Sequence, residues 1–215
     1  IPFSITFALY MTNILYIDTS GKYSLIMLFN EQGILAVKNT TSLNEHAQFI
    51  NIHIQEVVEE TGIPLSSLHA ICVMNGPGSY TGLRIGLASA KGICYAFNTP
   101  LILLNQLDLM CACHTNHTHD SAYIIKAREN EYFFTSDAIQ SRQAALKSTE
   151  ELEEYIQTNQ YKLFTSDELL LKELSYIQYI PISHDCIKRV VFTHYLQKNL
   201  ADLMHSEPFY LKNVY

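Results

Sequence analysis

The stretch NGPGSYTGLRIG, residues 75–86, places Gly76, Gly78, Gly82, Gly86 and Pro77 directly behind the apolar run IleCysValMet at 71–74. A strand that breaks into a glycine-rich turn and then a helix is a joint of an α/β sheet. It presents free backbone N–H groups to an anion. A phosphate loop would need a terminal Gly-Lys-Ser/Thr, and a dinucleotide fingerprint needs glycines spaced two and three apart. Neither spacing is present here. The plainer reading is that Pro77 and the glycines shape a strand-to-helix turn, with Ser79 as the N-cap.

The surrounding pattern says what that joint belongs to. Strand-like runs at 13–18, 23–29 and 33–38 are separated by short turns and read as a meander. Ser42-Leu43-Asn44-Glu45 fits a capping box, and Ala47, Ile50, Ile54, Val57 and Val58 then recur on one side of a helix that stops at Gly62. Phe49 and Ile52 fall outside that stripe and leave room for a second contact. A strand at 70–74, a helix at 80–97 and a strand at 101–104 complete the order βββαβαβ. That order predicts the α/β, ribonuclease-H-like arrangement, in which an antiparallel ribbon extends a parallel sheet. Further on, 122–127, 131–135 and 162–165 read as strands, 149–158 as a helix opening with acids, and 186–204 as a long helix. Residues 11–105 are thus expected to form the ribonuclease-H-like lobe and 106–215 a smaller C-terminal α/β lobe, with the joint near 105–120. No internal sequence repeat is evident. Residues 1–10 precede Met11, lack the positive flank of a signal peptide, are too few to span a bilayer, and read as an upstream extension.

With 48% hydrophobic and 16% charged residues, the 215-residue chain can build a core without being membrane-like. A net charge of −7, with fourteen Lys and Arg, argues against a free-standing nucleic-acid binder. Five cysteines at irregular spacing do not form a disulfide framework and suit a reducing, cytoplasmic setting.

ILYIDTS at 14–20, EHAQFI at 45–50, NGPGSYTGLRIGLASAKGICYAF at 75–97, KARENEY at 126–132 and EPFYLK at 207–212 together resemble the TsaB (YeaZ) family of tRNA threonylcarbamoyladenosine biosynthesis subunits, once labelled glycoprotease homologues. The resemblance implies a two-lobe member of the actin, sugar-kinase and heat-shock-protein superfamily. It also implies a non-catalytic scaffold that pairs with TsaD and the ATPase TsaE in threonylcarbamoyl transfer to the adenosine beside the anticodon. tRNA contact would be indirect, through the complex, and a homodimer is the alternative assembly in isolation. Where the family usually has an Asp before Ala-Arg, this chain has Lys126. In the related TsaD the segment after the equivalent strand carries two histidines one helical turn apart, a spacing suited to one metal. Gln106 and Met110 stand there instead, and neither suits a hard catalytic metal.

Other clusters invite chemistry. Cys111, Cys113, His114, His117, His119 and Asp120 crowd one short tract, yet a structural zinc site draws on two separated pairs. The tract reads as a polar loop between lobes, with no metal assigned. Asp18 and Ser20 end the first strand, where kinases and ATPases of this superfamily keep an acid near a metal-bound phosphate. With Gly76 and Gly78 they outline a degenerate nucleotide cleft, against the alternative of a simple Asx-type turn. No cofactor is firmly indicated, and weak ATP or ADP binding is the most such a cleft supports. An active small-molecule kinase or ATPase on the same fold is the competing functional class. No serine or cysteine protease triad is discernible, and no catalytic residue is assigned. Arg84 is either an anion contact or an interface residue.

Along the helix at 82–97, small residues recur at 82, 86 and 90 and again at 88, 92 and 96. Such seams let backbones approach closely, and one sheet cannot cover an almost wholly apolar helix. Phe49, Ile52, Ile85, Gly86, Leu87, Ala88, Ala90 and Gly92 are therefore the expected partner surface. Which seam faces inward stays open at this stage.

Overall fold

A computed structural model of the chain describes residues 11–40, 46–116, 118–136 and 144–210. The segment 1–10 and the capping box at 42–45 lie outside the described residues.

The first sheet contains β1 (Ile14–Asp18), β2 (Leu25–Asn30) and β3 (Gly33–Asn39). Helix α1 (His46–Thr61) leads to β4 (Ala70–Gly76), and α2 (Tyr80–Phe97) leads to β5 (Leu101–Asn105). The strand order is β3-β2-β1-β4-β5, antiparallel between β1 and β2 and parallel between β1 and β4, with Tyr16 beside Met27 on one side and Cys72 on the other. This is the ribonuclease-H-like arrangement that the order of elements predicts. Helix α3 (Gln106–Cys113) leaves the sheet with Asn105 as its cap, the Asn105 side chain accepting from the Leu107 and Asp108 amides.

A second sheet follows: β6 (Ser121–Arg128), β7 (Glu131–Ser136), β8 (Ala145–Ser148), then α4 (Thr149–Asn159), β9 (Lys162–Thr165), α5 (Leu170–Glu173) and β10 (Ile177–Tyr179). Read from the matching edge its order is β8-β7-β6-β9-β10, antiparallel through the first three strands and parallel from β6 to β9 and β10. The topology of the first sheet is therefore built twice, although the sequence shows no repeat. Strand topology depends on hydrophobic pattern and connection length, which very different residues satisfy. Strands β8 and β10 are short and were not expected. Helix α4 opens on a full capping box between Ser148 and Glu151.

Residues of the buried strands alternate between two cores, as the two-residue period of a strand requires. In β1, Leu15 and Ile17 face one core with α1 and α2, while Ile14 and Tyr16 face another with Leu109 of α3. The final helix α6 (His184–Leu196) brings Ile187, Val190 and Val191 to this second core, so the chain returns to the first sheet after completing the second. The helix expected over 186–204 is shorter: Ser183 caps its start, and beyond Gln197 the backbone turns left-handed at Lys198. Among the described residues, no helix is long and apolar enough to cross a membrane.

Candidate functional site

The glycine-rich turn lies against the loop that ends β1. Thr19 Oγ1 donates to the Gly82 carbonyl at 2.7 Å, and the Ser79 amide donates to the Ser20 carbonyl at 2.7 Å. A Cβ on Gly82 would collide with the Thr19 carbonyl, and one on Gly86 with Thr19 Oγ1. On Gly78 it would lie 2.5 Å from the Ser20 carbonyl. Close approach of α2 to β1 is therefore what these glycines permit. Gly76 has φ +122° and precedes a cis peptide to Pro77, and its missing side chain faces Leu83 and Phe209.

Asp18 closes an Asx turn, its Oδ1 accepting from the Ser20 amide at 2.8 Å and the Ser20 hydroxyl at 2.6 Å. Its Oδ2 accepts from the Tyr16 hydroxyl at 3.2 Å. Burial pushes the Tyr16 phenol well above its ordinary value, and the Asp18 charge adds to the effect, so Tyr16 remains a donor. A cavity of about 200 Å³ opens beside these two residues between the sheets, lined also by Gln106, Leu109, Ser166, Tyr179, Ile182 and Ile187. Asp18 and Gln106 thus share a cavity, whereas Gly76 and Gly78 do not line it. Its volume is below the roughly 300–1,000 Å³ of ordinary ligand pockets. Met110 is fully buried with Leu107 and Cys111 in the core beneath the second sheet.

The tract at 111–120 disperses. Cys111 is buried, His114 lies against Tyr123 and Phe164, and Asp120 pairs with Lys162 at 3.2 Å. His119 is exposed, and His117 lies outside the described residues. Among the described residues no group of three His, Cys, Asp or Glu is placed to hold a metal. One pairing that the sequence did not suggest is present: Cys113 is disulfide-bonded to Cys186, with Cα atoms 5.8 Å apart, while Cys72, Cys94 and Cys111 take no part in that bond and are buried. Irregular spacing concealed the pair because the two residues meet only after a whole sheet has intervened. Lys126, the departure from the family pattern, pairs with Glu173 at 2.5 Å.

Helix α2 resolves its two seams. Gly82, Leu83, Gly86, Leu87, Ala90 and Cys94 are buried, whereas Ala88, Gly92 and Ala96 are exposed beside Tyr95, itself 79% exposed. The residues expected at one partner surface are therefore divided. Gly86, Leu87 and Ala90 pack inward, Ile85 is partly buried against the first core, and Ala88 and Gly92 face outward. On α1, Ile52 is 46% exposed and Phe49 is half-buried against His53.

A strap formed by residues 198–210, which the sequence reading extended in part as helix, runs back along α2. The Ala201 amide donates to the Leu101 carbonyl, Lys91 Nζ donates to the carbonyls of Met204 and Ser206, and the Phe209 amide donates to the Asn75 carbonyl. The Arg84 guanidinium lies 4.0 Å from the Tyr80 ring centre, and its Nε donates to the Tyr210 hydroxyl at 2.9 Å. Cation–π contact thus uses Arg84 to fasten the strap. Tyr210 escaped the sequence reading because its partner Arg84 lies 126 residues away.

A family model described as TsaD, tRNA N6-adenosine threonylcarbamoyltransferase, matches residues 37–199. The tRNA threonylcarbamoyladenosine biosynthesis protein TsaB of Haemophilus influenzae is 28% identical over 124 residues, 57% of this chain and 52% of that protein. The TsaB protein of Escherichia coli is 32% identical over 97 residues, 45% of this chain and 42% of that protein. The chain thus matches about half the length of these curated relatives. A Pseudomonas aeruginosa crystal structure described as similar to peptidase YEAZ superposes with a TM-score of 0.72 at 19% identity, covering 94% of this chain and 100% of that one, which is a likeness of fold. With well over half its residues under the family model, and with TsaB relatives and the YeaZ fold beside it, the chain belongs to the TsaD-type threonylcarbamoyltransferase family, in its TsaB (YeaZ) group.

Proposed function

We propose that the chain is a non-catalytic scaffold subunit in threonylcarbamoyl transfer to the adenosine beside the anticodon of tRNA, pairing with TsaD and, with it, TsaE. The observation that carries this reading is Gly92. A glycine inside a helix costs about 0.5–1 kcal/mol relative to alanine, yet a Cβ here would meet nothing within 4 Å. Gly82 and Gly86 have intramolecular reasons to lack a side chain, whereas Gly92 has none. Together with Ala88 and Ala96 it forms a shallow face on which a second backbone can settle closely.

The lack of catalysis is supported by Gln106 and Met110, and by an Asp18 carboxylate held in its own turn. The net charge of −7 favours contact with tRNA through the partner. Capture of TsaD by the parent chain, lost in Gly92→Glu with folding retained, is the expected outcome. Magnesium-dependent ATP turnover by the chain alone, abolished by Asp18→Ala, would overturn the reading in favour of a kinase or ATPase.

A further inference from the structure

Cys113 is the last residue of α3 and Cys186 lies in the first turn of α6. The chain between them, across a sequence separation of 73, includes every strand of the second sheet, β6 to β10. The chain therefore enters and leaves that sheet through one covalent point. The bond sits where two cores adjoin. Leu109 of α3 and Ile187, Val190 and Val191 of α6 share the core beneath the first sheet, against which both cysteines pack, while Leu107 and Met110 of α3 reach the core beneath the second.

Two features separate this pair from an inert staple. Both cysteines are only partly buried, so a thiol reagent can reach them. The other three are buried, with burial pushing the Cys72 thiol well up and the Cys94 thiol to about 12. In addition, Arg189 Nη2 lies 3.3 Å from Cys186 Sγ and is held there by a 2.8 Å hydrogen bond to the Ala112 carbonyl. A guanidinium beside a sulfur stabilises its thiolate and makes that sulfur the better leaving group. An isolated pair among five cysteines is also not the framework of a small disulfide-dense scaffold.

We propose that Cys113 and Cys186 form a reversible redox clasp at the root of the second sheet, opened by a dithiol reductant and closed by a disulfide oxidant. In opening, a thiolate of the reductant attacks Cys113 Sγ, the S–S bond breaks, and its electron pair leaves on Cys186 beside Arg189. The second thiol of the reductant, as thiolate, then attacks the mixed disulfide and releases Cys113. The reductant becomes a disulfide, and its two electrons and two protons reside in the two cysteine thiols. Closing is the reverse, with Cys186 as the attacking thiolate on a Cys113 mixed disulfide. Leu109, Ile182 and Ile187 flank the clasp and line the cavity between the sheets, so opening loosens that wall.

The test begins with the full chain prepared without reductant, treated with oxidised glutathione and alkylated in denaturant. Three modified cysteines are expected before treatment with dithiothreitol and five after it. Five before treatment would overturn the pairing. In the folded protein, dithiothreitol should lower the melting temperature by about 5–15 °C and raise hydrogen exchange in 114–120 and 180–186. Cys186→Ser should melt lower and show no response to the reagent. A bond that resists millimolar dithiothreitol in the folded protein would make it a permanent staple and overturn reversibility. In the reduced chain Cys186 should alkylate several-fold faster than Cys113, and Arg189→Met should erase the difference. Equal rates in the parent would overturn the role given to Arg189.

Discussion

Position 92 and its neighbours on α2 show how far one side chain decides between folding and association. Leu87 points into the first core, so Leu87→Glu buries an unpaired charge, with an expected loss of about 3–5 kcal/mol. Ala88, one residue on, is exposed, and Ala88→Glu should leave thermal unfolding within about 0.5 kcal/mol of the parent while removing partner capture. Circular-dichroism melting and a pull-down on the two variants check both halves. Gly92→Ala should raise stability by about 0.5–1 kcal/mol, since the added methyl meets open space and the unfolded chain loses freedom. A destabilised Gly92→Ala would mean that the glycine serves the fold after all.

At the scale of elements, the strap is the piece whose loss is easiest to read. Ala201 and Leu203 pack on the first core, and Phe209 covers Gly76. Ending the chain at Gln197 should cost about 2–4 kcal/mol in chemical denaturation and increase proteolysis near β4. A turn within the strap is held by Asp202. The His205 side chain, followed by the His205 and Met204 amides, holds its carboxyl down to about 2. A depressed carboxylate pKa contributes order that is fully present above its unfolded value near 4 and is lost as pH falls through 2. Hydrogen exchange at Met204 and His205 should therefore accelerate between about pH 4 and pH 2 relative to the strands, and Asp202→Asn should flatten that change. In the helix beside the second sheet, removing the α4 cap with Ser148→Ala should cost about 1 kcal/mol by thermal melting.

For the whole molecule, the cavity that opens beside Asp18 between the two sheets bears on ligand binding. With Asp18 committed to Ser20 and Tyr16, and with about 200 Å³ in the cavity beside it, calorimetric titration should find ATP binding no tighter than about 1 mM. Micromolar binding lost on Asp18→Ala would contradict this. Much of the architecture was legible in the chain because its signals are short-ranged. Strands β1 and β4 show as apolar runs, the glycine turn as punctuation, α2 as a helix with a serine cap and α4 as a helix opening with acids, each depending on residues a few positions apart. Those signals and the family motifs were enough for the first sheet and its order. What they left open required distant parts of the chain to meet. An all-round apolar helix offers two equivalent seams until a sheet lies against one, and Thr19 beside Gly82 and Gly86 makes that choice. Cys113 finds Cys186 only because β6 to β10 return the chain to its starting point. Arg84 meets Tyr210 only because α6 stops early and frees the strap. Local pattern fixes the conformation of an element at little entropic cost, whereas choosing the face it buries requires closing long loops, and only tertiary packing offsets that cost.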